Sequence, residues 1–146
     1  NVIPGFSIYY ILMLHDHMMY FGDKEMLEKF MPSVEGILNF FYRHQKNGLI
    51  QKVGGLNGER FWSFIDWTPE WDETTGVPPA TLSGPITMES LLYIMGLQAA
   101  AEILEYLGGK EQAALYRKRA EIVKEAVRES CTGEEGLLRE GPGIDQ

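Results

Sequence analysis

Aromatic rings and carboxylates concentrate in one short stretch of this sequence, between positions 61 and 73. All three tryptophans of the chain fall within it, and several acidic residues stand among them. Sugars present apolar C–H faces and hydroxyl groups, so a carbohydrate site needs flat rings beside hydrogen-bonding carboxylates. The stretch supplies both kinds of group, and its candidate substrate-binding residues are Trp62, Phe64, Asp66, Trp67, Glu70 and Trp71.

Two carboxylates of this stretch also suit glycosidic cleavage in principle. That reaction needs a proton donor at the leaving oxygen and a second carboxylate that acts as base or nucleophile. Asp66 and Glu70 could form such a pair. Equally, the rings could close a small loop core while Glu70, Asp72 and Glu73 are solvated. The residues alone leave both interpretations open.

Other residues that could do chemistry give weaker signals. His15, Asp16 and His17 are adjacent, and such neighbours on a helix do not converge on one metal ion. A histidine with a satisfied hydrogen bond is the better interpretation. Cys131 is the only cysteine, which excludes a disulfide within the chain. The glycine pairs are turn signals rather than a phosphate-binding loop. We therefore expect no metal and no organic cofactor.

Charge and hydropathy restrict the partners. The chain has 21 acidic and 13 basic residues, a net charge of -8, and its basic residues are scattered. A nucleic-acid partner is disfavoured, because no basic stripe is available to neutralise phosphates. The longest apolar run, Ile8 to Leu14, is too short to span a bilayer, so no membrane partner is expected.

The elements that must position these residues follow one pattern that occurs twice. Positions 7–21 are apolar around the whole helical circumference, which predicts an inner helix buried on all sides. Positions 24–41 repeat apolar residues at three- and four-residue steps, which predicts a one-sided outer helix. Gly22 is expected to end the first helix and Asp23 to cap the second. The same order returns at 88–107 and 111–128.

Repeated pairs of inner and outer helices are typical of a helical toroid or a helical solenoid. The long non-helical segment between the two pairs favours the toroid, with the solenoid second. Leu49 to Val53 and Arg60 to Trp67 are expected to form short strands within that segment. In the second strand, a period of two predicts Trp62, Phe64 and Asp66 on one face and Trp67 on the other.

Several segments resemble the helical-barrel domain of bacterial α-L-rhamnosidases. The most specific is the Trp-x-Phe-x-Asp-Trp run at 62–67, which Glu70-Trp71 and Gly76-Val77-Pro78 follow. Ile3 to Ser7, Phe21 to Asp23 and Leu91 to Gly108 are also similar. The resemblance covers nearly the whole chain and implies an all-α fold, part of an (α/α) six-hairpin toroid, with two helical hairpins joined by a long loop that carries short β-strands.

The resemblance also implies an inverting hydrolase that removes terminal α-L-rhamnose from rhamnose-containing carbohydrates. Carried over by position, Asp66 would hydrogen-bond the rhamnose hydroxyls, and Trp62 and Trp67 would form an apolar wall. Glu70 and Trp71 would extend that wall toward the aglycone. The family's general acid lies in a segment reading roughly Asp-Glu-Arg-x-Gly-Trp, which does not occur here, and its general base in a later hairpin. No catalytic residue is therefore expected within this chain.

The expected organisation is a partial six-hairpin domain over 1–146, with a hairpin at about 6–45, an active-site loop at about 46–85, a hairpin at about 86–131 and the start of another loop at 132–146. The apolar start without a methionine suggests a fragment of a longer polypeptide. Two hairpins alone would leave apolar surface in water, so we expect self-association. The alternatives are another six-hairpin glycosidase, or a helical-repeat module that binds proteins without catalysis.

Overall fold

The computed structural model describes residues 2–82 and 84–144, which form four long helices in two consecutive pairs. A small antiparallel sheet follows the first pair of helices, and two short 3₁₀ turns precede the second pair. The helices are α1 Phe6–Phe21, α2 Lys24–Arg43, α3 Thr87–Leu107 and α4 Lys110–Ser130, the strands are β1 Gln45–Lys46 and β2 Leu49–Ile50, and the 3₁₀ turns are Pro69–Trp71 and Pro79–Leu82. The all-α architecture expected from the sequence is confirmed.

The turn between α1 and α2 forms as its residue types predict. Gly22 adopts the left-handed conformation with a φ of 62°, and its N–H donates to the Met18 carbonyl, which ends α1. The Asp23 carboxylate then accepts from the Met26 N–H and caps α2. Gly108 ends α3 in the same left-handed conformation. The Tyr106 hydroxyl donates to the Gly22 carbonyl at 2.9 Å and joins the two turns.

Helix α3 is the centre of the molecule, because α1, α2 and α4 all pack against it. Gly96 allows this close packing, since a Cβ there would lie 3.0 Å from the Ile8 side chain and 3.4 Å from that of Leu38. The Tyr93 ring stacks on Phe41 of α2, with centroids 5.8 Å apart. The prediction that α3 is apolar and buried nearly all round therefore agrees with its place in the fold.

Helix α1 departs from the prediction of burial on all sides. Ile8, Ile11 and Leu14 are buried against α3 and α2, whereas Met13 is 67% exposed and Phe21 75% exposed. The reason is geometric, since α2 and α3 contact one side of α1, whereas the other side is largely exposed beyond the contact of Phe6 with Phe64. The apolar pattern of α1 thus calls for more neighbours than this chain provides.

The predicted strands are shorter than expected. β1 and β2 form a hairpin in which Gln45 pairs with Ile50, and Asn47 and Gly48 turn the chain with positive φ angles. The pairing ends at Ile50 instead of Val53. The second expected strand, Arg60 to Trp67, is wrong as a strand, because only isolated bridges form within it. Its hydrogen bonds go to distant segments, as described below.

Candidate functional site

The segment that carries the candidate residues is held between two distant parts of the chain. We call residues 61–77 the aromatic loop. On one side, the Trp62 N–H donates to the Val2 carbonyl at 2.8 Å. On the other side, the Gly55 N–H donates to the Phe61 carbonyl at 2.9 Å, and the Ser63 N–H donates to the Gly55 carbonyl at 3.0 Å. Backbone pairing on both edges fixes the start of the loop against the N-terminal segment.

Three rings of the aromatic loop form one cluster. The centroids of Trp62 and Phe64 lie 4.9 Å apart, those of Phe64 and Trp67 5.2 Å, and those of Trp62 and Trp67 6.0 Å. These separations fall within the favourable range for tilted and edge-to-face aromatic pairs. Phe64 also contacts the Phe6 ring of α1 at 6.1 Å, which ties the cluster to the helical layer.

This clustering corrects the predicted alternation of side chains. A period of two separates Trp67 from Trp62 and Phe64, yet the structure brings all three rings together. The alternation fails because the segment does not continue as an extended strand. Instead, both the Ile65 and the Asp66 N–H groups donate to the Gly76 carbonyl, at 2.9 and 3.3 Å.

The far end of the aromatic loop returns beneath the rings and closes it. Trp62 Nε1 donates to the Thr75 carbonyl at 3.2 Å, and the Gly76 N–H donates to the Trp71 carbonyl at 3.0 Å. Thr75 and Gly76 both have positive φ angles, 55° and 77°. A left-handed pair of residues therefore makes the sharp turn whose Gly76 carbonyl accepts the Ile65 and Asp66 N–H groups.

Both candidate carboxylates are exposed, and Asp66 adjoins the ring cluster through Trp67. Asp66 is exposed, and its Oδ1 accepts a hydrogen bond from the Trp67 N–H at 2.8 Å. Its Oδ2 therefore remains available to accept from water or a ligand. Glu70 is exposed on the 3₁₀ turn at Pro69–Trp71, and Trp71 is half-buried. Trp67 is 61% exposed. The six candidate residues thus share one loop, with three rings in mutual contact and the acidic groups outside them.

An apolar cleft adjoins the ring cluster on the helical side. Its volume is about 240 Å³, and Phe64, Phe6, Tyr9, Leu92 and Met95 are among the residues that line it. The cleft lies between the N-terminal halves of α1 and α3 and the aromatic loop. Its walls are almost entirely apolar, so the cleft suits an apolar group and offers few hydrogen bonds.

One buried glutamate beneath the aromatic loop, Glu89, was not predicted from the sequence. Glu89 is 1% exposed, and burial raises its pKa to about 7, an effect that the Ser63 hydroxyl and the Val53 backbone oppose. The signal was present, because Thr87, Glu89 and Ser90 interrupt an otherwise apolar helix pattern at its start. First-turn acids usually remain exposed near a helix N-terminus, so the pattern did not indicate burial.

His15 and His17 have separate partners. His15 Nε2 lies 2.5 Å from a Glu102 carboxylate oxygen of α3, and the His17 ring packs on Phe21 at 4.8 Å. Among residues 2–82 and 84–144, no cluster of three or more potential ligands could hold a metal ion. Within the same residues, the helices fall short of the length and apolarity that a membrane crossing requires.

Two hairpins of an inner and an outer helix, with a long aromatic loop between them, define this chain as a piece of a helical-hairpin barrel. The family model described as the bacterial alpha-L-rhamnosidase 6 hairpin glycosidase domain matches residues 2–144. The chain belongs to that family, as the resemblance at 62–67 predicted.

A solved structure agrees with this assignment of the fold. The crystal structure of a GH78 family rhamnosidase of Bacillus sp. GL1 superposes with a TM-score of 0.73 and 20% sequence identity, over 92% of this chain and 13% of that chain. At this identity the likeness establishes the fold alone. The chain spans only about an eighth of that enzyme's length. No curated protein matches the chain in sequence.

Proposed function

We propose that this chain supplies part of the sugar-binding wall of an inverting hydrolase that removes terminal α-L-rhamnose. The observation that carries the proposal is the ring cluster of Trp62, Phe64 and Trp67, which ends in an exposed indole beside the exposed carboxylate of Asp66. An apolar platform next to a hydrogen-bonding acid suits the two faces of a deoxy sugar. Family membership supports a glycoside hydrolase as the parent enzyme.

Each candidate residue has a distinct part in this proposal. The indoles of Trp62 and Trp67 pack against the apolar face of the sugar, and Phe64 supports both of them from below. Asp66 accepts hydrogen bonds from rhamnose hydroxyls through Oδ2, since Oδ1 already accepts from the Trp67 N–H. Glu70 and Trp71 extend the wall toward the aglycone. The general acid and general base come from outside this chain.

The deciding experiment is Asp66→Ala in a full-length enzyme that contains this chain. We expect kcat/KM for an aryl α-L-rhamnoside to fall about tenfold or more, as when a charged hydrogen bond is lost. Asp72→Ala is the matched control, because Asp72 is an exposed acid of the same loop and has no role in the proposal. Equal kcat/KM values for the two folded variants would remove Asp66 from the site.

A glycan array with the same enzyme tests the sugar preference. Binding or cleavage of terminal α-L-rhamnose supports the proposal. Preference for a different sugar would indicate another six-hairpin glycosidase. If the enzyme binds no glycan on the array, a helical module that binds proteins would be favoured. The array therefore separates all three interpretations of the sequence in one measurement.

The exposed face of α1 leads to a proposal about assembly. Met13, Met19 and Phe21 are 67%, 68% and 75% exposed, and Tyr9 and Tyr20 are exposed on the same helix. Large apolar patches usually mark interfaces. The family has six hairpins and this chain forms two, so the remaining hairpins would cover this face in a complete barrel. We propose that the 146-residue chain on its own covers it with a second copy.

Sedimentation equilibrium at micromolar concentration tests this assembly. A two-fold dimer is the expected species, because such symmetry is the commonest in homo-oligomers. Met13→Glu on the exposed face of α1 should shift the chain toward monomer, whereas Asn39→Glu on the exposed face of α2 should not. A wild-type monomer of 16.6 kDa would contradict the proposal.

A further inference from the structure

Thr75 of the aromatic loop has a backbone conformation that its residue type does not favour. In the described part of the chain, two residues other than glycine have a positive φ angle, Asn47 at 51° and Thr75 at 55°. Asparagine tolerates this left-handed region, whereas a β-branched residue such as threonine is an outlier there. Glycine would hold the same backbone without strain. The reason for a threonine at this position must therefore lie in its side chain.

The hydrogen bonds of Thr75 account for the strained conformation. Its Oγ1 accepts from the Asn57 N–H at 3.1 Å, and its own N–H donates to the Asp72 carbonyl at 3.1 Å. Its carbonyl accepts from Trp62 Nε1 at 3.2 Å. A strained residue persists where its surroundings over-determine it, and such residues cluster at ligand sites. Three hydrogen bonds to three separate residues fix Thr75 in this way.

The group that binds the Thr75 hydroxyl belongs to a closed turn. The Glu59 N–H donates to the Leu56 carbonyl at 3.2 Å, and the Leu56 N–H donates to Glu59 Oε1 at 3.1 Å. Gly55, directly before this turn, is paired with the start of the aromatic loop. The turn therefore gives Asn57 a defined place, from which its N–H fixes the Thr75 hydroxyl.

The Thr75 carbonyl determines what the Trp62 indole can offer to a ligand. The indole nitrogen is a hydrogen-bond donor only, and in Trp62 this donor is used within the protein. The Trp62 ring also contacts Phe64 and Trp67, with centroids 4.9 and 6.0 Å away. Because the nitrogen and the ring are both held, the indole has one orientation. It presents ring surface to a ligand and not a hydrogen-bond donor.

We infer that Thr75 is a positioning residue, whose hydroxyl keeps the backbone left-handed so that its carbonyl fixes the Trp62 indole within the ring cluster. The hydroxyl bonds to Asn57, so its effect on Trp62 passes through the Thr75 carbonyl. The orientation of the indole follows from this geometry alone. Its value for binding the apolar face of a sugar rests on the proposed function.

Nuclear magnetic resonance of the indole N–H groups tests this inference in the 146-residue chain. The chain has three tryptophans, so a nitrogen–proton correlation spectrum contains three indole signals. Trp62→Phe and Trp67→Phe identify the signals of these two residues. The measured quantity is the rate at which each indole proton exchanges with solvent. In wild type we expect slower exchange for Trp62, which is hydrogen-bonded, than for Trp67, which is 61% exposed.

Three substitutions of Thr75 separate its hydroxyl from its backbone strain. Thr75→Val keeps the β-branched shape and removes the hydrogen-bond acceptor. Thr75→Gly removes the acceptor and relieves the strain, and Thr75→Ser keeps a hydroxyl. Thr68→Val is the matched control, because Thr68 is a half-buried threonine of the same loop whose Oγ1 has no hydrogen-bond partner among the described residues. Far-UV circular dichroism of each variant shows whether the helices are retained.

We expect Thr75→Val to raise the exchange rate of the Trp62 indole proton about tenfold, as when one hydrogen bond that holds a local structure is lost. Thr75→Gly should raise it by a similar factor because the hydroxyl is missing, even though glycine suits the left-handed backbone. Thr75→Ser should retain the wild-type rate. Thr68→Val should leave the exchange of Trp62 unchanged.

Three results would overturn the inference. One is a wild-type exchange rate of Trp62 in Thr75→Val or in Thr75→Gly. Another is exchange in Thr75→Ser as fast as in Thr75→Val, because the hydroxyl would then not be the group that matters. The third is equally fast exchange in Thr68→Val, because loss of any loop hydroxyl would then free the indole. If Thr75→Val fails to fold, the comparison of Thr75→Gly with Thr75→Ser decides alone.

Activity measurements keep this inference separate from the proposed function. In a full-length enzyme containing the chain, Thr75→Val should raise KM for an aryl α-L-rhamnoside with little change in kcat, and Thr75→Ser should restore KM. Faster indole exchange with unchanged kcat/KM would support the positioning role and contradict the proposed sugar wall. Unchanged indole exchange would contradict the positioning role whatever the activity.

Discussion

Gly76 offers the sharpest test of how the aromatic loop is closed. Its φ is +77°, and a Cβ at this position would lie 2.5 Å from Phe64 Cε2 and 2.8 Å from the Asp66 carbonyl oxygen. Its own carbonyl accepts the N–H groups of Ile65 and Asp66. In Gly76→Ala the new methyl group must therefore displace a candidate site ring, a backbone carbonyl or both.

The expected cost has two parts that a control variant separates. Holding an alanine in the left-handed region costs about 1–2 kcal/mol. Forcing a methyl group into occupied space adds about 1–3 kcal/mol. Gly136 has nearly the same φ, +78°, but open space where its Cβ would stand. Gly136→Ala should therefore show the first cost alone, and Gly76→Ala both.

The assay is urea unfolding of the two variants and wild type, followed by far-UV circular dichroism, with tryptophan emission as a local reading of the loop. We expect Gly76→Ala to be less stable than Gly136→Ala by about 1–3 kcal/mol, or to show altered emission if the loop yields before the helices do. Equal stabilities together with wild-type emission would refute the described contacts of Phe64 and Asp66 with Gly76.

Three further predictions concern pH, capping and activity. Glu89→Gln should stabilise the chain at about pH 8 more than at about pH 5. The pKa of Glu89 is raised in the folded state to about 7, so its contribution to wild-type stability is fully present below the ordinary pKa of 4.5 and is lost as the pH rises through about 7. The loss amounts to roughly 3 kcal/mol in all. Urea unfolding at both pH values, with Glu111→Gln as control, measures this difference, and a pH-independent effect would contradict it. Asp23→Ala should lower the unfolding free energy by about 1 kcal/mol through loss of the α2 cap, and Glu28→Ala on the same helix should not, as thermal denaturation would show. The 146-residue chain alone should not hydrolyse an aryl α-L-rhamnoside, and turnover that Glu70→Gln abolishes would instead bring the chemistry into this loop.

The helices were predictable because the signals for them are local. The three- and four-residue period of α2 and the turn chemistry of Gly22 and Asp23 depend on a few neighbouring residues, and both appear in the structure as expected. Family membership was likewise predictable from the run at 62–67, and the family model confirms it. The roles of the six candidate residues stay predictions.

The shape of the aromatic loop was not predictable from the same kind of signal. Alternation of side chains holds only while a strand continues, and this segment bends where Ile65 and Asp66 turn to the Gly76 carbonyl. Its other backbone partners, Val2 and Gly55, could not be predicted from a local pattern either. Glu89 was missed for a related reason, because the loop that buries it lies more than twenty residues earlier in the chain.

Helix α1 shows what a hydrophobic pattern measures. Its residues are apolar all round, yet the helices of this chain cover only the side that holds Ile8, Ile11 and Leu14. A pattern of this kind indicates the surroundings in which the helix is stable, whichever chain or hairpin provides them. The exposed rings and methionines of α1 are therefore the apolar surface that these two hairpins do not cover. The proposed sugar wall is incomplete in the same sense, since the proposal places the general acid and base outside these residues. Under that proposal, neighbouring hairpins of an α/α barrel would both cover the exposed face of α1 and supply the missing acid and base.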